Sequence, residues 1–196
     1  MRRRRIIVLV ATSADGFLAR RDGSVDWLDR PRAAGDYGMA SFYRSIDTIL
    51  WGRKTYEVAL EFQKQGIPGA AFDPKKRNYL FSRRRLRPAS PAVTLVTESV
   101  PRFAKRLRAT PGKDVWIMGG AGLIASFLDA GQIDEFRIHV IPTLIGEGIP
   151  LVAPRRRTVE LDLLSSRRYS DGVAFLRYAV RPVRARRSRR AGKTRR

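Results

Sequence analysis

Cysteine is absent from all 196 residues. Disulfides, thiolate nucleophiles and zinc–thiolate sites are excluded together, and the chain suits a reducing cytoplasm, its expected location. Histidine is nearly absent too: His139 stands alone. One imidazole cannot build a histidine-rich metal cluster, or a Ser-His-Asp triad with a spare base, so no metal is expected. Long apolar runs are also missing. A membrane span needs about 18 or more apolar residues and nothing approaches that, so no membrane contact is expected. The opening MRRRRIIVLVATSADG imitates a secretion signal, but its apolar run, residues 6–11, falls short of the usual stretch of about 7–15. It reads as a buried strand of a soluble protein.

Acid is what the chain ends lack. The net charge is +22, and RPVRARRSRRAGKTRR (181–196) holds nine Arg or Lys and no carboxylate, while residues 2–5 add four arginines. With so little apolar content the tail, 182–196, is expected to be disordered. It is either a solvated extension or a non-specific contact for nucleic-acid phosphates; no aromatic interleaves its arginines as a base-stacking surface would need. The remainder, 1–181, is 43% hydrophobic with the tail included, enough for one domain with a real core.

β-Branched apolar runs recur at 6–11, 46–51, 77–81, 92–96, 114–118 and 136–141. A final pair of strands flanks Ser170-Asp171-Gly172, a hairpin turn signal. Helical spacing falls at 36–45, 53–63, 100–108 and 121–129, the third with Ser99 as N-cap and Pro101 in its first turn. Alternating strands and helices predict an α/β sandwich around a mostly parallel sheet, and the last two strands predict an antiparallel C-terminal edge.

Three strand ends favour an anion. In ILWGRKTYE, Gly52 turns the chain and Arg53, Lys54 and Thr55 open a helix, where cations oppose the helix dipole unless an anion is present. In YLFSRRRL, Ser82 and Arg83 follow a strand and offer a hydroxyl and a guanidinium fork, with Arg84 and Arg85 behind them. In VWIMGGAGLI, the turn Gly119, Gly120, Ala121 and Gly122 aims a helix start at whatever lies above the sheet. Gly120, Gly122 and Ala125 fit a dinucleotide fingerprint, but no acid is placed for a ribose, so this is not a Rossmann unit. Ligands of such sheets sit at the carboxyl ends of strands, and a pyrophosphate is the ligand these glycines suit.

SADGFLA (13–19), DTILWGRKTYE (47–57), YLFSR (79–83) and residues 115–151 together resemble the dihydrofolate reductase-like superfamily. The likeness is to the small bacterial branch related to the C-terminal reductase domain of the riboflavin-biosynthesis deaminase–reductase. It covers residues 6 to about 180. The resemblance implies an eight-stranded α/β/α sandwich, a cis Gly119–Gly120 peptide, NADPH as cofactor and a homodimer. It implies that Arg53, Lys54, Thr55 and the turn Gly119, Gly120, Ala121, Gly122, Leu123 and Ile124 hold the phosphates. Ser82 and Arg83 would take the 2′-phosphate, and Ala11 with the Asp15-Gly16 loop would lie by the nicotinamide. The substrate is expected to be a small heteroaromatic, pteridine- or pyrimidine-like; the alternative is a catalytically silent nucleotide-binding protein of the same fold. Asp36 has two readings, a helix N-cap or an acid that protonates a ring nitrogen as hydride arrives. Trp27 and Phe42 either line a flat-ring pocket or pack in the core, and His139 falls mid-strand as a sheet residue. The segment IPTLIGEGIPL is expected to expose apolar surface beside the antiparallel edge, where a second copy would cover it.

Overall fold

A computed structural model describes residues 2–29, 35–67 and 72–182; the tail, from residue 183 onward, lies outside the described residues. The strands are β1 (Ile6–Ser13), β2 (Phe17–Ala19), β3 (Ile46–Gly52), β4 (Arg77–Phe81), β5 (Val93–Val96), β6 (Asp114–Gly119), β7 (Glu135–Ile141), β8 (Ile149–Pro150), β9 (Leu161–Arg168) and β10 (Ala174–Val180). The helices are α1 (Met39–Ser45), α2 (Arg53–Lys64), α3 (Val100–Ala109) and α4 (Ala121–Asp129). Eight strands form one sheet in the order β5-β4-β3-β6-β1-β7-β10-β9. The first six are mutually parallel, and β10 and β9 run antiparallel at the edge.

β1 owes its central place to a run that is apolar on both sides. Ile6, Val8 and Val10 enter one core with α3 and α4, while Ile7 and Leu9 enter another with α1 and α2. In α3, Phe103, Ala104 and Leu107 form the buried stripe. β9 and β10 close on the predicted turn, where Gly172 has φ 86°, a conformation that favours glycine. Leu163 and Leu164 on β9 stay more than half exposed.

One expectation is corrected. The segment 142–150 meets the antiparallel edge only at its start, where Pro142 lies against Gly172; further on β8 pairs with β2, and the Ile145 and Gly146 amides donate to the Asp15 carboxylate. The segment does expose apolar surface, with Leu144 the most exposed large apolar side chain among the described residues, and Leu163 and Leu164 of β9 form a separate exposed pair. The arginines at 2–5 are tied to carboxylates of the sheet. Arg2 and Arg5 bond Asp114, Arg5 also reaches Glu135, and Arg3 pairs with Asp134. Arg4 is buried, bonded to Asp47, to the Thr48 hydroxyl at 2.7 Å and to the Lys113 carbonyl at 2.7 Å. Together they tie the amino-terminal edge of β1 to those of β3, β6 and β7.

That edge makes the fold acid-sensitive. Burial alone would raise the Asp114 and Glu135 carboxyls. Guanidinium bonds from Arg5 to Asp114, and from Arg137 and Arg177 to Glu135, outweigh it and hold both below their ordinary values of 3.8 and 4.5. Depressed carboxyl pKa values stabilise the fold above the unfolded-state values, and that stabilisation is lost as pH falls through the folded ones. Urea unfolding at stepped pH should give a steep fall in stability below about pH 4. A free energy unchanged down to about pH 3 would contradict this account.

Candidate active site

β3 and β6 are parallel neighbours, yet their following helices part: α2 packs with the second core and α4 with the first. Adjacent strands that send their helices to opposite faces open a crevice at their carboxyl ends. What lets the strands stay close there is glycine. A Cβ on Gly52 would meet the Gly120 nitrogen at 2.9 Å and the Gly119 oxygen at 3.0 Å. Gly119 has φ 130°, and the Gly119–Gly120 peptide is cis. A cleft of about 1840 Å³ lies above this contact.

One arm of the cleft is built for an anion. α2, α3 and α4 all start on it, and none has a side-chain cap. Their first amides are therefore left for a ligand or water, and their dipoles favour negative charge there. Arg53 is paired with Glu57 at 2.7 Å. Lys54, Arg83, Arg84 and Arg85 also line the cleft, with no carboxylate in ion-pair range among the described residues. Glu98, the acid beside them, is occupied by Arg106 and Arg102. The Ser82 hydroxyl donates to the Arg84 carbonyl at 2.9 Å and accepts from its amide at 3.1 Å, so it shapes the arginine loop.

The other arm is lined mainly by apolar side chains, Ala11, Leu28, Met39, Trp116 and Val173 among them, and Tyr37 and His139 also line the cleft. Tyr37 has φ 54°. Its hydroxyl donates to Asp171, and its carbonyl receives the Tyr169 hydroxyl at 3.1 Å. The approach to α1 is thereby pinned to the β9–β10 turn.

The lining includes Ala11, Gly52, Arg53, Lys54, Thr55, Ser82, Arg83, Gly119, Gly120, Ala121, Gly122 and Leu123. Asp15, Gly16 and Ile124 are not part of it. Asp15 faces the 145–146 amides, and Ile124 is wholly buried in the core. Asp36 is not part of it either. Its carboxylate accepts from the Ala40 amide at 2.6 Å and the Gly38 amide at 2.9 Å, and these bonds hold its pKa down. Both bonds go to the start of α1, as the capping reading expects. Trp27 and Phe42 are buried core residues. Sequence reasoning placed the α3 start at Ser99 but did not count it among the anion sites, although TESVP follows a strand end as the other two do. It also missed Arg155, which lines the cleft from a loop and pairs with Asp129.

A mostly parallel eight-stranded sheet with this switch-point cleft defines a domain of the dihydrofolate reductase-like class. Within that class residues 4–175 match the RibD C-terminal domain family, and the chain belongs to that family. It is 33% identical over 184 residues to the uncharacterized protein YyaP of Bacillus subtilis, covering 91% of this chain and 96% of that one. The riboflavin biosynthesis protein RibD of Corynebacterium ammoniagenes is 28% identical over 161 residues, covering 78% of this chain and 47% of RibD. A putative riboflavin biosynthesis protein from Shewanella sp. PV-4 superposes with a TM-score of 0.78 at 25% identity, over 90% of this chain and 99% of that one.

Gly52→Ala should distinguish a packing constraint from a permissive turn. Its new Cβ meets backbone atoms that have no room to give, whereas a Cβ on Gly120 meets only the Thr55 hydroxyl, at 3.0 Å. Overpacking of the first kind costs about 1–3 kcal/mol. Thermal melts should show Gly52→Ala clearly destabilised and Gly120→Ala less so; the reverse order would contradict the geometry.

Proposed function

We propose that the protein is an NADPH-dependent reductase that delivers hydride to a small flat heteroaromatic, pteridine- or pyrimidine-like, at the Ala11 end of the cleft. One observation carries the reading: uncapped starts of α2, α3 and α4 and four unpaired cations share one arm, while the other arm is apolar and aromatic. The fit is good where it is testable on the chain itself. Gly52 and Gly120 stand where side chains would crowd the crevice, so the backbone is bare where a pyrophosphate needs it. Membership of the family and the likeness to RibD support the same reading.

Bound NADPH supplies the hydride. Arg53, Lys54 and Thr55 with the 120–122 amides would hold its phosphates, and Arg83, with Arg84 and Arg85 beside it, would neutralise the 2′-phosphate. Ala11, Met39 and Trp116 would exclude water from the reacting rings. A protein that binds nucleotide without chemistry would fit the same cleft, so turnover decides between the two.

Charge-assisted bonds are worth about 1.5–3 kcal/mol, so Arg83→Ala should weaken NADPH binding roughly tenfold to a hundredfold. NADH, which lacks the 2′-phosphate, should be nearly unaffected, and the NADPH advantage should shrink with salt. Calorimetry of both cofactors, with NADPH oxidation followed across pterins and pyrimidines, checks this. Equal losses for the two cofactors would remove Arg83 from the phosphate site, and tight binding with no oxidation would remove the reductase.

A further inference from the structure

The apolar arm holds one group whose protonation state the fold dictates. His139 pairs in register with Ala11 across β1 and β7, and both line the cleft. Its ring stacks on Phe175, with centroids 4.6 Å apart and planes at 27°. Nε2 lies 3.3 Å from the Tyr37 carbonyl. A carbonyl oxygen only accepts, so Nε2 carries the proton and Nδ1 of the neutral ring carries a lone pair. The carbonyl is not free to turn away, because Tyr169 grips it and Asp171 holds the Tyr37 hydroxyl.

We infer that His139 is a specificity-determining residue: Nδ1 accepts a hydrogen bond from a ring N–H of the flat substrate, and so selects rings that carry such a donor beside the reacting position. This rests on the proposed placement of that ring at Ala11. Nδ1 has no hydrogen-bond partner among the described residues, and it is not one of the buried unpaired atoms, so it keeps an opening to solvent. The charges nearby are engaged elsewhere. Arg137, two residues along the same face, bonds Glu135 and lies over the Phe42 ring, and Asp171 is held by Tyr37. Burial lowers the His139 pKa more than the Tyr37 carbonyl raises it, which keeps the ring neutral at physiological pH. Around it Leu28, Met39 and Val173 offer shape without polarity. An N–H donor seated there would otherwise go unpaired, and a site that pairs a buried donor discriminates against analogues lacking it.

The test uses lumazine, a fluorescent pteridinedione, and its N,N-dimethyl analogue, in which both ring N–H groups are blocked. Because the chain has one histidine, a long-range proton–nitrogen spectrum of histidine-labelled protein reads His139 without assignment. At mildly alkaline pH it should show the Nε2–H tautomer, and lumazine with NADPH present should shift Nδ1 and leave Nε2 in place. Fluorescence titration should show lumazine binding at least about tenfold tighter than the dimethyl analogue, the size of one lost hydrogen bond in a dry site. His139→Leu, with NADPH affinity retained as the check on folding, should abolish that difference. An Nδ1–H tautomer, or a preference that survives in His139→Leu, overturns the role of His139 and leaves the reductase reading intact. NADPH binding with no lumazine binding to the native protein overturns the ring placement, and the role of His139 with it.

Discussion

Gly52 and the Gly119–Gly120 peptide occupy a space that no side chain can enter, and the cleft depends on that contact. With 2.9 Å between a virtual Cβ and a backbone nitrogen, even alanine would drive the ends of β3 and β6 apart. Their closeness sets the starts of α2 and α4 side by side on opposite faces of the sheet. Two helix dipoles then point into one crevice, and α3 adds a third from the neighbouring strand end. Every cation on that arm acts against this background of free amides.

The two edges of the sheet treat charge in opposite ways. At the amino-terminal edge, arginines 2–5 each meet a carboxylate, and Arg4 is buried. Leaving buried Arg4 without its carboxylate costs about 3–5 kcal/mol, so Arg4 acts as a structural tie, while the exposed Arg2 and Arg3 pairs add little. At the carboxyl-terminal edge Lys54, Arg83, Arg84 and Arg85 have no described carboxylate partner. The same residue types hold the fold together at one end and wait for a ligand at the other. A net charge of +22 says nothing of this division; only the placement of the carboxylates does.

Much of the architecture was legible because the signals were local. Apolar runs marked six of the eight main strands, and the Ser170-Asp171-Gly172 turn marked the hairpin of the last two. The GRKT and GGAG turns marked two of the three helix starts on the cleft as anion sites, and Ser99 with Pro101 marked the third as a helix start only. What escaped depended on distant partners. β2 and β8 are short strands that exist only because Phe17 and Ala19 meet residues 149–150, and no local pattern announces such a pairing. The carboxylates that meet arginines 2–5 lie 40 or more residues away in sequence, so no local pattern pairs them. Asp36 carried both a cap signal and an acid's spacing, and its carboxylate accepts from two backbone amides at the start of α1. His139 lay mid-strand in the sequence, where alternation alone does not say which face meets a cleft.

The central claim is that the glycine contact makes a phosphate site, and a crystal structure of the NADPH complex tests it most directly. The account predicts pyrophosphate oxygens within hydrogen-bond distance of the amides at Ala121 and Gly122 and beside the Arg53–Thr55 turn, with the nicotinamide against Ala11. A cofactor whose phosphates lie elsewhere, away from the Gly52 and Gly119–Gly120 junction, would contradict it.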